Sequence, residues 1–236
     1  MNSLQSIFAQ VPSLQTLPEE ARRRLERVAE QRQYRRRQVI HFADQPGDYI
    51  YLLCTGRVKI ARVSDQGREV TLYLVDPAQL FGEAALGETG GVYGVMAETL
   101  EDSLVCAFRR SDFLEAFQPS PQATLALLRL VNDRRTLAEA KIADLVFLDV
   151  PKRLAKLLLR LYDLTNGKRG DGLITTKFTH QELANMIGST RETTTLVLNE
   201  FKRQGSIDFL GRKIVIRKRS DLETLLRRDA GEAVLA

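Results

Sequence analysis

Between Pro121 and Phe147 the chain keeps one apolar rhythm: Leu128, Val131, Arg135, Ala138, Ile142 and Leu145 follow one another in alternating steps of three and four. That spacing puts all six on one stripe of a single long helix, a coiled-coil seam with a polar interruption at Arg135. Leu127, Leu130 and Leu137 fall on an adjacent face. A helix with two apolar faces needs two partners, so one face is expected on the chain's own preceding residues and the seam on a second copy. The competing solution is a fully buried core helix, but the segment ahead is too small to cover both stripes.

That segment has a different period. From Gln38 to Phe108 the runs VIHFA, YIYLL, RVKIARV and EVTLYLV are rich in β-branched and aromatic residues at a spacing of two. Gly47, Gly56, Gly67 and Gly82 punctuate them, as in an all-β sandwich or barrel. Ser64–Gly67, SDQG, reads as a hairpin turn, and TLEDSLVCAFRR adds at least one strand. Upstream, PEEARRRLERVAEQ between Pro18 and Gln31 predicts a short helix followed by polar coil. The fold class is therefore α+β, with a β-roll domain over 1–120, a long helix and hinge over 121–148 and a third part over 149–236. Pro151 marks the hinge after Leu148, Asp149 and Val150, because proline ends one helix and starts another well.

Charge separates the parts. From Val150 to the end there are 17 Lys and Arg against 10 Asp and Glu; the preceding residues carry 18 against 20. A basic imbalance confined to the last third points to a polyanion. After the amphipathic PKRLAKLLLRLYDL and the loop NGKRGDG, Thr179–Glu182 has capping-box form, and Ser189–Glu192 repeats it ten residues later. Two helix starts that close together, with small Ala184 at the crossing and Gly188 at the turn, predict a helix-turn-helix. Leu183, Ile187, Thr194 and Val197 are its inner residues. Arg191, Glu192, Thr195 and Leu196 then face outward, suited to reading base edges, while Ser189, Thr190 and Thr193 suit phosphates. SIDFLGRKIVIRKR predicts a hairpin turning at Gly211, a basic wing of Arg212, Lys213, Arg217, Lys218 and Arg219 whose Arg212 and Lys213 bind phosphate.

Several classes fit poorly. No apolar run approaches the ~20 residues of a spanning helix and the first residues lack a leader pattern, so a cytoplasmic protein without a membrane partner is expected. Cys54 and Cys106 are expected as buried thiols outside any disulfide framework, and His41 and His180 as isolated side chains, giving no metal site. An enzyme using the glycine-rich loop after Leu86 as a phosphate cradle is the remote alternative, since no helix start follows those glycines. A protein that coats DNA without sequence preference is another.

LFGEAAL at Leu80–Leu86, VFLDVPKRLAKLLL at Val146–Leu159 and FTHQELANMIGSTRETTT at Phe178–Thr195 resemble the bacterial transcription regulators of the cyclic-AMP receptor protein and fumarate-nitrate regulator superfamily, over about Phe42 to Leu226. The resemblance implies a cyclic-nucleotide-binding-like β-roll, a long dimerisation helix and a winged helix-turn-helix. It implies a homodimer on palindromic double-stranded DNA, with RNA polymerase as a further partner. Its effector pocket would map to Gly82, Glu83, Tyr93, Gly94, Ala138 and Glu139. In cyclic-AMP-binding members an Arg-Ser pair holds the cyclic phosphate, and here Tyr93 and Gly94 stand at that pair; Ala138 and Glu139 replace the adenine-contacting Thr and Ser. Cyclic AMP is therefore not expected, no cofactor is required, and Gly82 and Glu83 are read as caps of the loop GETGGVYG. That loop could hold another small ligand, and IGSTR, shared with cyanobacterial nitrogen regulators, leaves 2-oxoglutarate as an alternative. Leu196 stands where a further base-reading arginine would be, so the family's usual half-site is not expected.

Overall fold

The period-two segments form strands and the three-four segments form helices, in a computed structural model that describes residues 4–87, 91–166 and 172–227. Parts of GETGGVYG and NGKRGDG, and the tail from Asp229, lie outside those residues. The chain divides into two compact units, 1–139 and 140–236.

In the first unit, helices α1 (Leu4–Phe8), α2 (Pro12–Gln15) and α3 (Glu19–Val28) precede β1 (Glu30–Tyr34), β2 (Val39–His41), β3 (Tyr49–Thr55), β4 (Val58–Val63), β5 (Glu69–Val75) and β6 (Leu80–Phe81). A 3-10 turn at Glu83–Leu86, β7 (Met96–Thr99), β8 (Ser103–Arg109) and α4 (Arg110–Phe117) follow, and then the long α5 (Pro121–Phe147). Two antiparallel four-stranded sheets, β1-β8-β3-β6 and β2-β7-β4-β5, make the β-roll. β3 is buried almost throughout rather than alternately, because helices cover the face turned away from the other sheet. Phe8 meets Phe108 edge-on at 5.8 Å, and Phe113 and Phe117 of α4 extend that aromatic layer. Leu127 and Leu130 of α5 join the same core.

One expectation needs correction. The helix ends at Val28, and the supposed coil after it contains β1, EQRQY, paired with β8 from Glu30↔Ala107 to Tyr34↔Ser103. As an edge strand held by backbone bonds it needs few apolar side chains, so its sequence carries no period-two signal. The two cysteines are buried and free, as expected, and Cys54 Sγ lies 3.0 Å from Cys106 Sγ across β3 and β8. Their hydrogen bond pushes the Cys54 thiol down and the Cys106 thiol up in pKa.

His41 is a core residue, 1% exposed and stacked on Tyr93 at 3.8 Å. Neither ring nitrogen has a partner of good hydrogen-bonding geometry among the described residues. Burial lowers its pKa to about 4; the nearby backbone at Phe42 and Val95 opposes that without cancelling it. The unfolded chain therefore takes up a proton that the fold refuses. Stability contributed by the neutral ring is complete above about pH 6.5 and falls as the pH drops toward 4, by up to about 3 kcal/mol. The unfolding midpoint of the wild type should decline over that window, and His41→Phe should flatten the decline; equal slopes would remove His41 as its cause.

The second unit comprises the last two turns of α5, then α6 (Val150–Asn166), β9 (Leu173–Ile174), α7 (His180–Ile187), α8 (Arg191–Arg203), β10 (Ile207–Leu210), β11 (Lys213–Ile216) and α9 (Arg219–Arg227). Asp149 Oδ1 accepts from the Lys152 amide and so caps α6 at the proline-marked break. β9 adds a third strand to the wing hairpin, in the order β10-β11-β9. No helix among the described residues is long and apolar enough to cross a membrane.

Candidate nucleic-acid interface and effector position

Helix α7 starts in a closed capping box. The Glu182 amide donates to Thr179 Oγ1 at 3.1 Å and the Thr179 amide donates to Glu182 Oε2 at 2.6 Å. It ends at Gly188, whose φ of 62° is left-handed and whose amide returns to the Ala184 carbonyl. Ala184, Leu183 and Ile187 are buried, as is Thr194 on α8; Val197 is half-buried, and Leu198 takes the deep position one residue on.

The second cap is displaced from its expected place. The Ser189 amide donates to the Ala184 carbonyl and closes the turn, so the N-cap of α8 is Thr190, whose Oγ1 accepts from the Thr193 amide at 3.2 Å. No second capping box forms, and Glu192 is left free for other work. Ahead of Thr193 the first amides of α8 have no intrahelical partner, an arrangement that suits an anion.

Arg191, Glu192 and Leu196 are exposed, Leu196 at 70%. Among the described residues neither Arg191 nor Glu192 has a side-chain partner. Thr193 and Thr195 are half-buried, and Thr193 Oγ1 sits 3.0 Å from Thr190 Oγ1. Thr195 is less available than expected: its hydroxyl donates to the Arg191 carbonyl at 2.8 Å, as β-branched hydroxyls do inside helices. The consequence reaches His180, whose Nδ1 is 2.8 Å from Thr195 Oγ1. With the single hydroxyl hydrogen already used, Nδ1 must be the donor, which leaves Nε2 unprotonated in the neutral ring. His180 therefore ties α7 to α8 and is not isolated. No signal within its own segment pointed there, because the partner lies 15 residues on.

The wing turns at Gly211, φ 61°. Arg212 is exposed and Lys213 half-buried, both unpaired among the described residues. Arg217 reaches Asp208 at 3.4 Å. Arg219 does not belong to the wing: it opens α9, binds Asp163 of α6 and pairs with Glu223 at 2.6 Å, and those bonds raise its pKa.

On α5 the seam residues Leu128, Val131, Ala138, Ile142 and Leu145 are all exposed. Arg135 is held along its own helix by Glu139 at 2.9 Å and Asn132 at 3.1 Å.

The residues expected at an effector pocket have different surroundings. Tyr93 is 4% exposed; its hydroxyl donates to the Tyr49 carbonyl at 2.8 Å and accepts from the Tyr49 amide at 3.1 Å. It is a core side chain. The reason is aromatic packing, in which His41, Tyr93, Tyr51 and Phe81 stack in succession. Gly94 is left-handed, and a Cβ there would meet open space. Gly82, φ 78°, precedes the 3-10 turn, and its missing side chain admits the Tyr51 ring, so it serves the backbone as expected. Glu83 does more than cap: Oε1 accepts from the Tyr73 hydroxyl at 2.8 Å and lies 4.0 Å from Arg134 Nε. Arg134 stacks on Tyr73 at 4.2 Å and donates to the Leu80 carbonyl. Burial and the Glu83 charge push the Tyr73 pKa up. The sequence reading missed Arg134. Ala138 and Glu139, one turn on, are exposed.

Comparison with known proteins agrees with both units. Residues 152–225 match the Crp-like helix-turn-helix domain and residues 31–120 the cyclic nucleotide-binding domain. A CRP-like cAMP-activated global transcriptional regulator of Mycobacterium tuberculosis is 33% identical, covering 78% of this chain and 81% of its own length. A global nitrogen regulator of Nostoc sp. is 29% identical over 78% of this chain and 84% of its own. Among solved structures, FixK2 from Bradyrhizobium japonicum superposes with a TM-score of 0.74 at 27% identity, covering 84% of this chain and 97% of that one.

Proposed function

The chain belongs to the CRP/FNR superfamily of DNA-binding transcription regulators, and from that premise we propose that it acts as a homodimer reading a palindromic site without cyclic AMP. The observation that carries the reading is the end of α8. Arg191 and Glu192 stand exposed and unpaired beside a capped helix start, in the part of the chain that holds its positive excess. A guanidinium there can donate to a guanine edge and a carboxylate can accept from a cytosine amino group. Free amides, Thr190, Arg212 and Lys213 supply phosphate contacts that fix the register. The exposed seam of α5 gives a second copy its place, and two copies would set two half-sites about one helical turn apart. RNA polymerase is the partner that would read the bound dimer at a promoter.

Selection from a randomised duplex library tests this. The expected product is an inverted repeat with half-sites roughly 10 base pairs apart, centre to centre. Recovery of no preferred sequence, with affinity set by salt alone, would leave a DNA-coating protein instead.

Ligand independence rests on Tyr93. Where a phosphate clamp would need a cation, this chain holds a buried phenol bonded to the Tyr49 backbone. Two cations near the loop are engaged, Arg134 with Glu83 and Tyr73 and Arg110 with the Ala85 and Gly87 carbonyls. Calorimetric titration should show no heat of binding for cyclic AMP, and the selected duplex should be bound equally with and without it. Binding of cyclic AMP at micromolar strength would overturn this part of the proposal; a response to 2-oxoglutarate in the same assay would replace it with a different effector.

A further inference from the structure

The DNA-binding unit begins at Ala140, two turns before α5 ends. Those two turns hold the turn of the helix-turn-helix. Lys141 Nζ donates to the Met186 carbonyl, one of the last of α7, which finds no amide partner because the helix stops at Ile187. Leu145 lies over Gly188 so closely that a Cβ on the glycine would come within 2.6 Å of Leu145 Cδ2. From α6, Arg153 donates to the Leu148 carbonyl at 2.7 Å and reaches the Gly188 carbonyl at 3.5 Å. Two cations, one from each of two consecutive helices, thus sit at the negative end of α7. Thr190, the cap of α8, is two residues further on.

We propose that Lys141 is a positioning residue for DNA recognition: carried by the last turns of the long helix, it fixes the α7–α8 turn and so sets the direction of the Arg191–Glu192 end of α8. The inference rests on the reading of α8 as the DNA-reading helix. Packing alone gives no reason for an amine here. Burial lowers the Lys141 pKa to about 8, Asp144 on the same helix opposes the shift, and Arg153 and Arg160 on α6 reinforce it. Asp144 is itself paired with Lys156 at 2.5 Å, and the group facing Lys141 from α7 is the Met186 carbonyl. A cation disfavoured by its own surroundings detracts from folding stability, so its contribution lies in where it holds the turn.

The sign of the pH dependence separates the two roles. The unfolded chain keeps the Lys141 proton up to about pH 10.5 while the fold releases it near 8, so any contribution of Lys141 to stability improves as pH rises between them. The charged clamp, and the DNA affinity that depends on it, is lost over the same rise. Affinity for the library-selected duplex is therefore measured by fluorescence anisotropy at about pH 7 and about pH 9, either side of that pKa, for the wild type, Lys141→Met and Lys141→Arg. At the lower pH, Lys141→Met should bind about tenfold more weakly. Its sedimentation should match the wild type, and its unfolding midpoint should be no lower. Lys141→Arg, whose charge does not titrate, should bind like the wild type at both pH values. The wild type should approach the Met variant at the higher pH. Wild-type affinity in Lys141→Met, a loss that follows a lowered unfolding midpoint, or a ratio independent of pH would each overturn the proposal. A wild type that selects no duplex at all would instead overturn the reading of α8, an outcome visible before any variant is made.

Discussion

Leu128→Glu combined with Ile142→Glu should sediment as a monomer and bind the selected duplex roughly a hundredfold to ten-thousandfold more weakly than the wild type. Both side chains are 62% exposed within one copy, so charging them removes little from the fold of that copy, on the order of 0.5 kcal/mol. In a paired seam the same changes bury four carboxylates against apolar partners, which no coiled coil tolerates. The loss in DNA binding follows because each half-site is then bound independently, without the effective concentration that linkage confers. The double variant and wild type are compared by sedimentation velocity and thermal unfolding. A double variant that remains dimeric, or a wild type that is monomeric at the concentrations where it binds, would defeat the seam assignment.

Arg191→Ala should lose about 1 to 3 kcal/mol at the selected site and relax the preference at one base pair in each half-site. The change leaves folding alone, because Arg191 is exposed at the first position of α8 and the cap belongs to Thr190. Arg212→Ala offers the contrast. It should weaken binding to all sequences alike and lower the salt slope by about one. Should Arg191→Ala weaken every site in the library by the same factor, it contacts phosphate and the base-reading assignment moves elsewhere on α8.

Much of the architecture could be read from the residues because it is written in local terms. The period of two from Gln38 to Phe108, the three-four rhythm that makes one long helix of Pro121–Phe147 and the Thr179–Glu182 box each depend on residues a few positions apart, and each element is found where the pattern put it. The failures share a different cause. β1 is held by backbone bonds to a strand about seventy residues away. His180 finds Thr195 across the turn, and Lys141 reaches Met186 between helices. None of those pairings leaves a periodic trace. The burial of Tyr93 follows from the aromatic stack that receives it, and the stack is assembled from separate parts of the chain. The cap of α8 was misplaced by one residue, since the turn closes through the Ser189 amide instead of using its hydroxyl.

The aromatic stack also limits how this regulator could change its input. Tyr93 bears on His41 and Tyr51 and holds both polar groups of the Tyr49 backbone. An arginine in place of Tyr93 would leave a gap beside the His41 ring and would place a guanidinium where the surroundings are rings. A phosphate-binding cation at this one position would therefore require the neighbouring rings, which come from separate strands, to be replaced with it.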